Sequence, residues 1–383
     1  MRKNVFILCC LGMVILLNHS AFSQKITIEK SYPEAFLRAY DNYVNKNHAA
    51  SFEQFSALVE QTPQDREELL QDIMFYRASS AYETMNKDAD ALLCEFISLC
   101  PQSAHCNEAY FLLANFYARG ERYDQAIEVY SKMNVAILNQ DDKFEYYYKR
   151  GHCLFMLNRY DEALEEFDKV KDAKSKFAAP STYFYAHILY EQGRYNLALK
   201  EFLTLQEDKS FGKIVPYYIA HIYYYQENYE ELIKIAPSLS EKSQSKRSGE
   251  LNRMLGDAYY KLGQYKEATP YLIKAAEQEG ADVQDYYLLG FSLMEEKDFK
   301  QAKTYLAKAI EKKDSLAQNA LYHLGICCIE TNDKSNAKAM FKEASEMDFD
   351  MTIKEKALLN YAKVACETSS AYNEPLKAFQ TFT

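Results

Sequence analysis

The chain has 383 residues, 26% of them charged and 14% aromatic, with no tryptophan and a formal charge of −10 at neutral pH. An acidic chain without a basic cluster cannot neutralise a run of phosphates, which argues against a nucleic-acid partner and against an anionic membrane surface. A chain of this length ordinarily folds as two or three globular domains, but periodicity must be tested first, and here it decides the matter.

Residues 1–23 have the layout of a secretory signal. Arg2 and Lys3 supply the positive start, VFILCCLGMVILL (5–17) is the apolar run, and AFS (21–23) places small residues three and one before a cut between Ser23 and Gln24. The run is too short for a first reading as a membrane span, with an uncleaved anchor as the alternative. Cys9 and Cys10 lie inside the run, whereas a lipid attachment site would follow it. Removal of this segment takes the formal charge to −12. The expectation is an exported protein of the periplasm or cell envelope of a Gram-negative bacterium, with no transmembrane segment in the mature chain. Residues 24–32 form a short lead-in.

From 33 to 383 one unit recurs. A small residue stands near the middle of each candidate first helix, at Ala39, Ala78, Ala114, Gly151, Ala186, Ala220, Gly256, Gly290, Gly325 and Ala362, in steps of 34 to 39 residues. Twelve positions on comes a second small or apolar residue (Ala126, Ala163, Ala198, Ala268, Ala302, Ala337), and four further a large one (Tyr130, Phe167, Phe202, Leu272, Leu306, Phe341). An aromatic stands nine after the small residue in six consecutive copies, Tyr123, Tyr160, Tyr195, Tyr229, Tyr265 and Phe299. The spacing predicts two antiparallel helices per unit: the small residue lets the axes approach, and the large residue fills the space beside it. Turn signals such as ARGERY, LNRY, EQGRY and KLGQY fall between the helices, and no period-two alternation predicts strands. The sixth copy (Leu232, Ala236) is degenerate, and the polar stretch SEKSQSKRSGE after it reads as a longer loop.

LGDAYYKLGQYKEATPYL resembles the pattern of the tetratricopeptide repeat family, with Leu255, Gly256, Tyr259, Ala268 and Leu272 in the matching places. Tyr or Phe replaces the family's tryptophan, and its unit-ending proline is matched only by Pro63 and Pro101. The resemblance implies an all-α, right-handed α-solenoid of about ten helix-turn-helix units over 33–383, whose first helices line a concave groove. It also implies binding in place of catalysis. The family's carboxylate clamp, a Lys and Asn pair at two groove columns, is not matched.

Two columns occupy that expected groove face. Three residues before the small ones stand Phe36, Phe75, Phe111, Tyr148, Tyr183, Tyr217, Arg253, Tyr287 and Tyr322; one residue after stand His152, His187 and His221. Phe155, Tyr190 and Tyr224 follow four after. Two readings stand side by side: rings packed between adjacent helices, or a groove lined by Tyr and His that holds a peptide or a glycan over the third to seventh units. On the second reading the groove set is Tyr148, His152, Phe155, Tyr183, His187, Tyr190, Tyr217, His221, Tyr224, Arg253 and Tyr287, and ligand-contacting histidines would make affinity change around the ordinary imidazole pKa.

The common enzyme signatures are absent: no phosphate-binding loop, nucleophile elbow, H-E-x-x-H, C-x-x-C or G-x-G-x-x-G. Paired carboxylates such as Glu165–Glu166 and Glu295–Glu296 read as solvated helix faces. Seven cysteines follow the signal: Cys94, Cys100, Cys106, Cys153, Cys327, Cys328 and Cys366. One disulfide is conceivable around CPQSAHC, and with His105 the spacing is odd for zinc. No catalytic group, metal or cofactor is assigned. The expected function is a non-enzymatic scaffold for a peptide or protein partner, with glycan binding as the alternative. Leu376, Phe379 and Phe382 form an uncovered stripe at the end of an incomplete tenth unit, expected to dock another chain or to continue into a longer array.

Overall fold

The computed structural model describes residues 32–240 and 246–368, the side chains of 236–248 excepted. The segment expected to be a signal, the lead-in up to residue 31 and the stripe of Leu376, Phe379 and Phe382 lie outside the described residues. Among the described residues the protein is all-α, with nineteen α-helices, one short 3-10 turn (Val135–Ile137) and no strand. It divides into two compact units, Met1–Glu201 and Phe202–Thr383.

In the first unit the helices are α1 (Glu34–Val44), α2 (His48–Gln61), α3 (Glu67–Glu83), α4 (Ala89–Leu99), α5 (Cys106–Arg119), α6 (Tyr123–Tyr130), α7 (Gln140–Met156), α8 (Tyr160–Asp168) and α9 (Ala178–Glu191). The chain passes between the units within α10 (Tyr195–Thr204). The second unit continues with α11 (Val215–Tyr225), α12 (Tyr229–Ser240), α13 (Lys246–Lys261), α14 (Tyr265–Ala276), α15 (Val283–Glu295), α16 (Phe299–Lys308), α17 (Ser315–Glu330), α18 (Lys334–Ser345) and α19 (Met351–Thr368). Nine helix pairs and one further first helix result, and the fold class is an α-solenoid. All six of the recurring aromatics from Tyr123 to Phe299 are the first residues of second helices.

The small residues sit where the helices of a pair approach. A β-carbon added at Gly151 would lie 2.9 Å from the Phe167 ring, at Gly256 2.5 Å from Leu272, at Gly290 2.8 Å from Leu306 and at Gly325 2.6 Å from the Phe341 ring. Each large partner is buried, and burying such a side chain stabilises by about 1.5–3 kcal/mol.

Each pair turns in the same way. A residue with positive φ stands seven places after the small one in all nine pairs: Lys46, Met85, Glu121, Asn158, Gly193, Glu227, Gly263, Lys297 and Asn332. Its successor's N–H closes back on a carbonyl five residues earlier, as Arg159 N–H does on Leu154 and Asp333 N–H on Cys328, so orphan carbonyls at the end of the first helix are satisfied. Several helix starts are capped by side chains. Asp282 and Asp285 form a reciprocal capping box on α15, and Asn139, Asp298, Asp314 and Asp333 accept from backbone N–H groups of α7, α16, α17 and α18.

First helices of consecutive pairs also touch: α1–α3–α5–α7–α9 in one unit and α11–α13–α15–α17–α19 in the other. They form a continuous row in each unit, termed the inner row. Helix reaches into both ends of the polar stretch that the sequence reads as a longer loop. α12 ends at Ser240 and α13 starts at Lys246, where two good helix formers, Lys246 and Arg247, precede the buried Leu251, Met254 and Leu255.

Candidate functional site

On the inner row, helix periodicity brings the positions six and three before the small residue, and one and four after it, to one face. In the first unit this face holds six of the expected groove residues. Tyr148 and Tyr183 are buried, at 6% and 5% exposure. The Tyr148 ring stacks on Phe177 at 5.3 Å, and Tyr183 lies 6.1 Å from His187. His187 is buried with its ring edge-on to Phe155 at 5.8 Å, and His152 is edge-on to Phe184 at 5.2 Å. These rings fill the seam between successive first helices, which is the packing reading of the columns. Phe155, Tyr190 and His152 keep partial exposure.

The expectation that the column histidines titrate near neutrality is corrected at His152. Burial pushes its pKa down to about 4, and its Nε2 has no hydrogen-bond partner to hold a charge.

In the second unit the remaining five residues link one repeat to the next. Tyr217 donates to Glu250 at 2.8 Å and Tyr224 to Asp257 at 2.7 Å. Arg253 grips Asp285 through Nε at 2.6 Å and Nη2 at 2.5 Å. The His221 ring lies 4.4 Å from Tyr217, with Nε2 3.7 Å from Glu250, and the Tyr287 hydroxyl is 3.4 Å from His323 Nδ1.

The sequence reading missed a column of carboxylates six places before Ala78, Ala114 and Gly151. Asp72 on α3, Glu108 on α5 and Glu145 on α7 stand on the inner row, one per helix. Asp72 accepts from the Tyr32 hydroxyl at 2.6 Å and lies 3.3 Å from His105 Nε2, whose ring stacks on Phe75 at 4.2 Å. Glu145 is buried and pairs with Lys149 at 2.8 Å. Burial, with Asp142 nearby, pushes the Glu108 carboxyl up to about 8. The signal was available as acidic residues 36 and 37 apart in register with the small ones.

Glu166 corrects another expectation. It is no solvated face: it is buried, paired with Arg150 and with Lys169 at 3.2 Å, and its β-carbon packs against Gly151. The seven cysteines are free thiols. Among the described residues no group of three or more His, Cys, Asp or Glu is arranged to hold a metal ion, and no helix is long and apolar enough to cross a membrane.

Residues 108–132, 144–177, 251–282, 286–311 and 318–351 match the family model of the tetratricopeptide repeat. The chain is 26% identical over 220 residues to the signal recognition particle subunit SRP72 of Dictyostelium discoideum, a match that takes in 56% of this chain and 31% of that protein. It therefore spans about a third of the length of that curated relative. Among solved structures, it is similar to the C-terminal part of a TPR repeat-containing protein from Cytophaga hutchinsonii, at 20% identity over 70% of this chain and 98% of the other with a TM-score of 0.38. A tetratricopeptide repeat protein from Parabacteroides merdae matches at 15% identity over 86% of this chain and 97% of its own, with a TM-score of 0.37. The Naa15/Naa10 structure bound to HypK-THB matches at 12% identity over 91% of this chain and 57% of its own, with a TM-score of 0.45.

Proposed function

From the premise that this chain carries tetratricopeptide repeats, we propose that it is a non-enzymatic protein-interaction scaffold that holds an extended polypeptide segment along the inner row of its first unit. The observation that carries the reading is the register of that row. Consecutive first helices touch, and they present partly open side chains on this face: Tyr43, Phe155 and Tyr190 four places after the small residue, His152 one place after it and Glu108 six before it. Packed helices lie about 8–10 Å apart, and a polyproline-II segment advances about 3.1 Å per residue with three residues per turn, so a segment bound in that extended form offers one side chain to each helix at every third residue. Rigid rings interleaved with charges suit such a ligand because little side-chain entropy is lost on contact.

Export to the periplasm or cell envelope of a Gram-negative bacterium belongs to the same proposal, supported by Arg2, Lys3, the apolar run and AFS at 21–23. Intact mass of protein recovered from a Gram-negative host tests it, with a chain beginning at Gln24 expected.

Panning a random-peptide library on the purified protein, beside a glycan array, tests the binding reading. Peptide clones that bind the native protein and lose affinity in Phe155→Ser/Tyr190→Ala are expected. Glycan capture with no peptide retained would overturn it.

A further inference from the structure

We infer that the protein pairs with a second copy of itself across a twofold axis, through the joint between α18 and α19, with Phe349 of each copy entering a cavity on the other. This surface lies in the second unit, so the inference does not rest on the binding reading above. Two successive joints border the cavity, which has a volume of about 340 Å³. Lys313, just before α17, lines one side, and Glu343, Glu346, Met347, Asp348 and Phe349, around the end of α18, line the rest. Met347 is buried, while Phe349 is 55% exposed and Met351, two places on, is 57% exposed.

The backbone that carries Phe349 is held in place by a buried amide. Gln318 of α17 is fully buried. Its Nε2 donates to the carbonyls of Ala344 at 3.1 Å, Met347 at 2.9 Å and Asp350 at 3.2 Å, and its Oε1 accepts from the Asp350 N–H at 2.7 Å. Asp350 in turn accepts from the Ile353 N–H at 3.1 Å, in the first turn of α19. These bonds bracket Phe349 on both sides, so the ring stands in water on a fixed loop. Covering it buries apolar surface while little loop entropy is left to lose.

A second copy suits this surface because it holds both halves of every contact. An exposed ring and a cavity stand side by side, and so do an ammonium and a carboxylate: neither Lys313 nor Glu343 makes an ion pair among the described residues. The other acids of the rim are engaged, Glu346 with Lys342 at 3.9 Å and Asp348 with Lys354. A twofold axis makes each contact twice, so it places Phe349 of each copy in the other's cavity and Lys313 of each beside Glu343 of the other. An apolar cavity of about 150 Å³ already takes a benzene ring, so the volume here admits the Phe349 side chain. The two Lys313–Glu343 pairs at the edge of the covered rings then fix the register.

Sedimentation equilibrium of the purified full chain tests this in about 0.15 M salt, where a Debye length of about 8 Å screens the net negative charge of two copies. A dimer that dissociates on dilution is expected, with no larger species. Phe349→Ser should raise the dissociation constant by about a hundredfold or more, because a twofold contact loses the ring twice. Lys313→Glu and Glu343→Lys should each weaken the dimer by about tenfold or more, since like charges then face each other. Both changes in one chain should restore the dimer to within about threefold of wild type, because the exchange rebuilds both pairs. The three side chains are exposed, so each variant should keep its helix content, which circular dichroism checks. A chain that stays monomeric at the highest soluble concentration, or assembles without limit, would overturn the inference. So would a dimer indifferent to Phe349→Ser, or single reversals that the double exchange does not rescue.

Discussion

Gly325 faces Phe341 so closely that a β-carbon on the glycine would lie 2.6 Å from the ring's Cε1, with two more ring atoms within 3.0 Å. Alanine there would gain about 1 kcal/mol in helix propensity, but the buried ring has no room to withdraw. Overpacking wins, and Gly325→Ala should lower stability by about 1–2 kcal/mol net. Chemical denaturation followed by circular dichroism checks this; a variant as stable as wild type would show that the two helices separate at little cost.

The turns give a matched pair of opposite sign. Met85 is 74% exposed and has φ 55°, a conformation that costs an L-residue with a β-carbon about 1–2 kcal/mol. Met85→Gly should therefore stabilise the first unit by up to about 1 kcal/mol after the entropy that glycine adds to the unfolded chain. Gly193, at φ 71° with open space around it, should lose about 1 kcal/mol on substitution by alanine, from the backbone alone. Thermal midpoints of the two variants should move in opposite directions.

Burial also sets two pH responses of opposite sense. The folded pKa of His152, about 4, lies below its ordinary value, so the unfolded chain binds more protons between about pH 6.5 and 4. The stability associated with neutral His152 is present above that window and is lost as pH falls through it. Glu108 is raised to about 8, so the folded chain binds more protons between about pH 4.5 and 8, and this site's cost grows as pH rises. The melting temperature of His152→Gln relative to wild type should climb as pH is lowered from 6.5 to 4, while the advantage of Glu108→Gln should climb from pH 5 to 9. Parallel curves in either case would refute the corresponding shift.

Tyr183→Ala should cost about 3 kcal/mol or more, because its ring is buried in the seam beside Phe184 and His187. Tyr190→Ala, partly exposed one turn beyond His187 on the same helix, should cost about 1 kcal/mol or less. Urea unfolding of both variants separates packing rings from surface ones.

The helix pairs were legible because Gly325 and Phe341 differ so much in size and recur in register with Gly151 and Phe167. A small residue opposite a large one leaves a trace in composition. Tyr148 and Phe155 lie two turns apart on one face of α7 and are both aromatic, yet one is buried and the other partly open. That difference depends on how far α9 overlaps α7, which no local pattern records. The turns were equally hidden: seven of the nine positive-φ residues are not glycine, because backbone hydrogen bonds fix the conformation there. Glu108 looked like any acid in the first turn of a helix. Its raised pKa follows from burial that only the folded chain supplies, and Asp142, which adds to it, is 34 positions away in the sequence.

The seven-residue interval between small residue and turn never varies, although the whole repeat ranges from 34 to 39 residues. Every gain or loss of length has therefore been absorbed past the turn. In eight of the nine pairs the second helix starts two residues after it, so most of that slack has collected at the joints where one pair hands over to the next. The pair behaves as a standard part and the joint as the fitting. Grafted peptides or inserted domains should be accepted after α2, α4, α6 or α8, whereas one residue added between Gly151 and Asn158 would rotate the end of α7 by about 100° and turn its buried face outward.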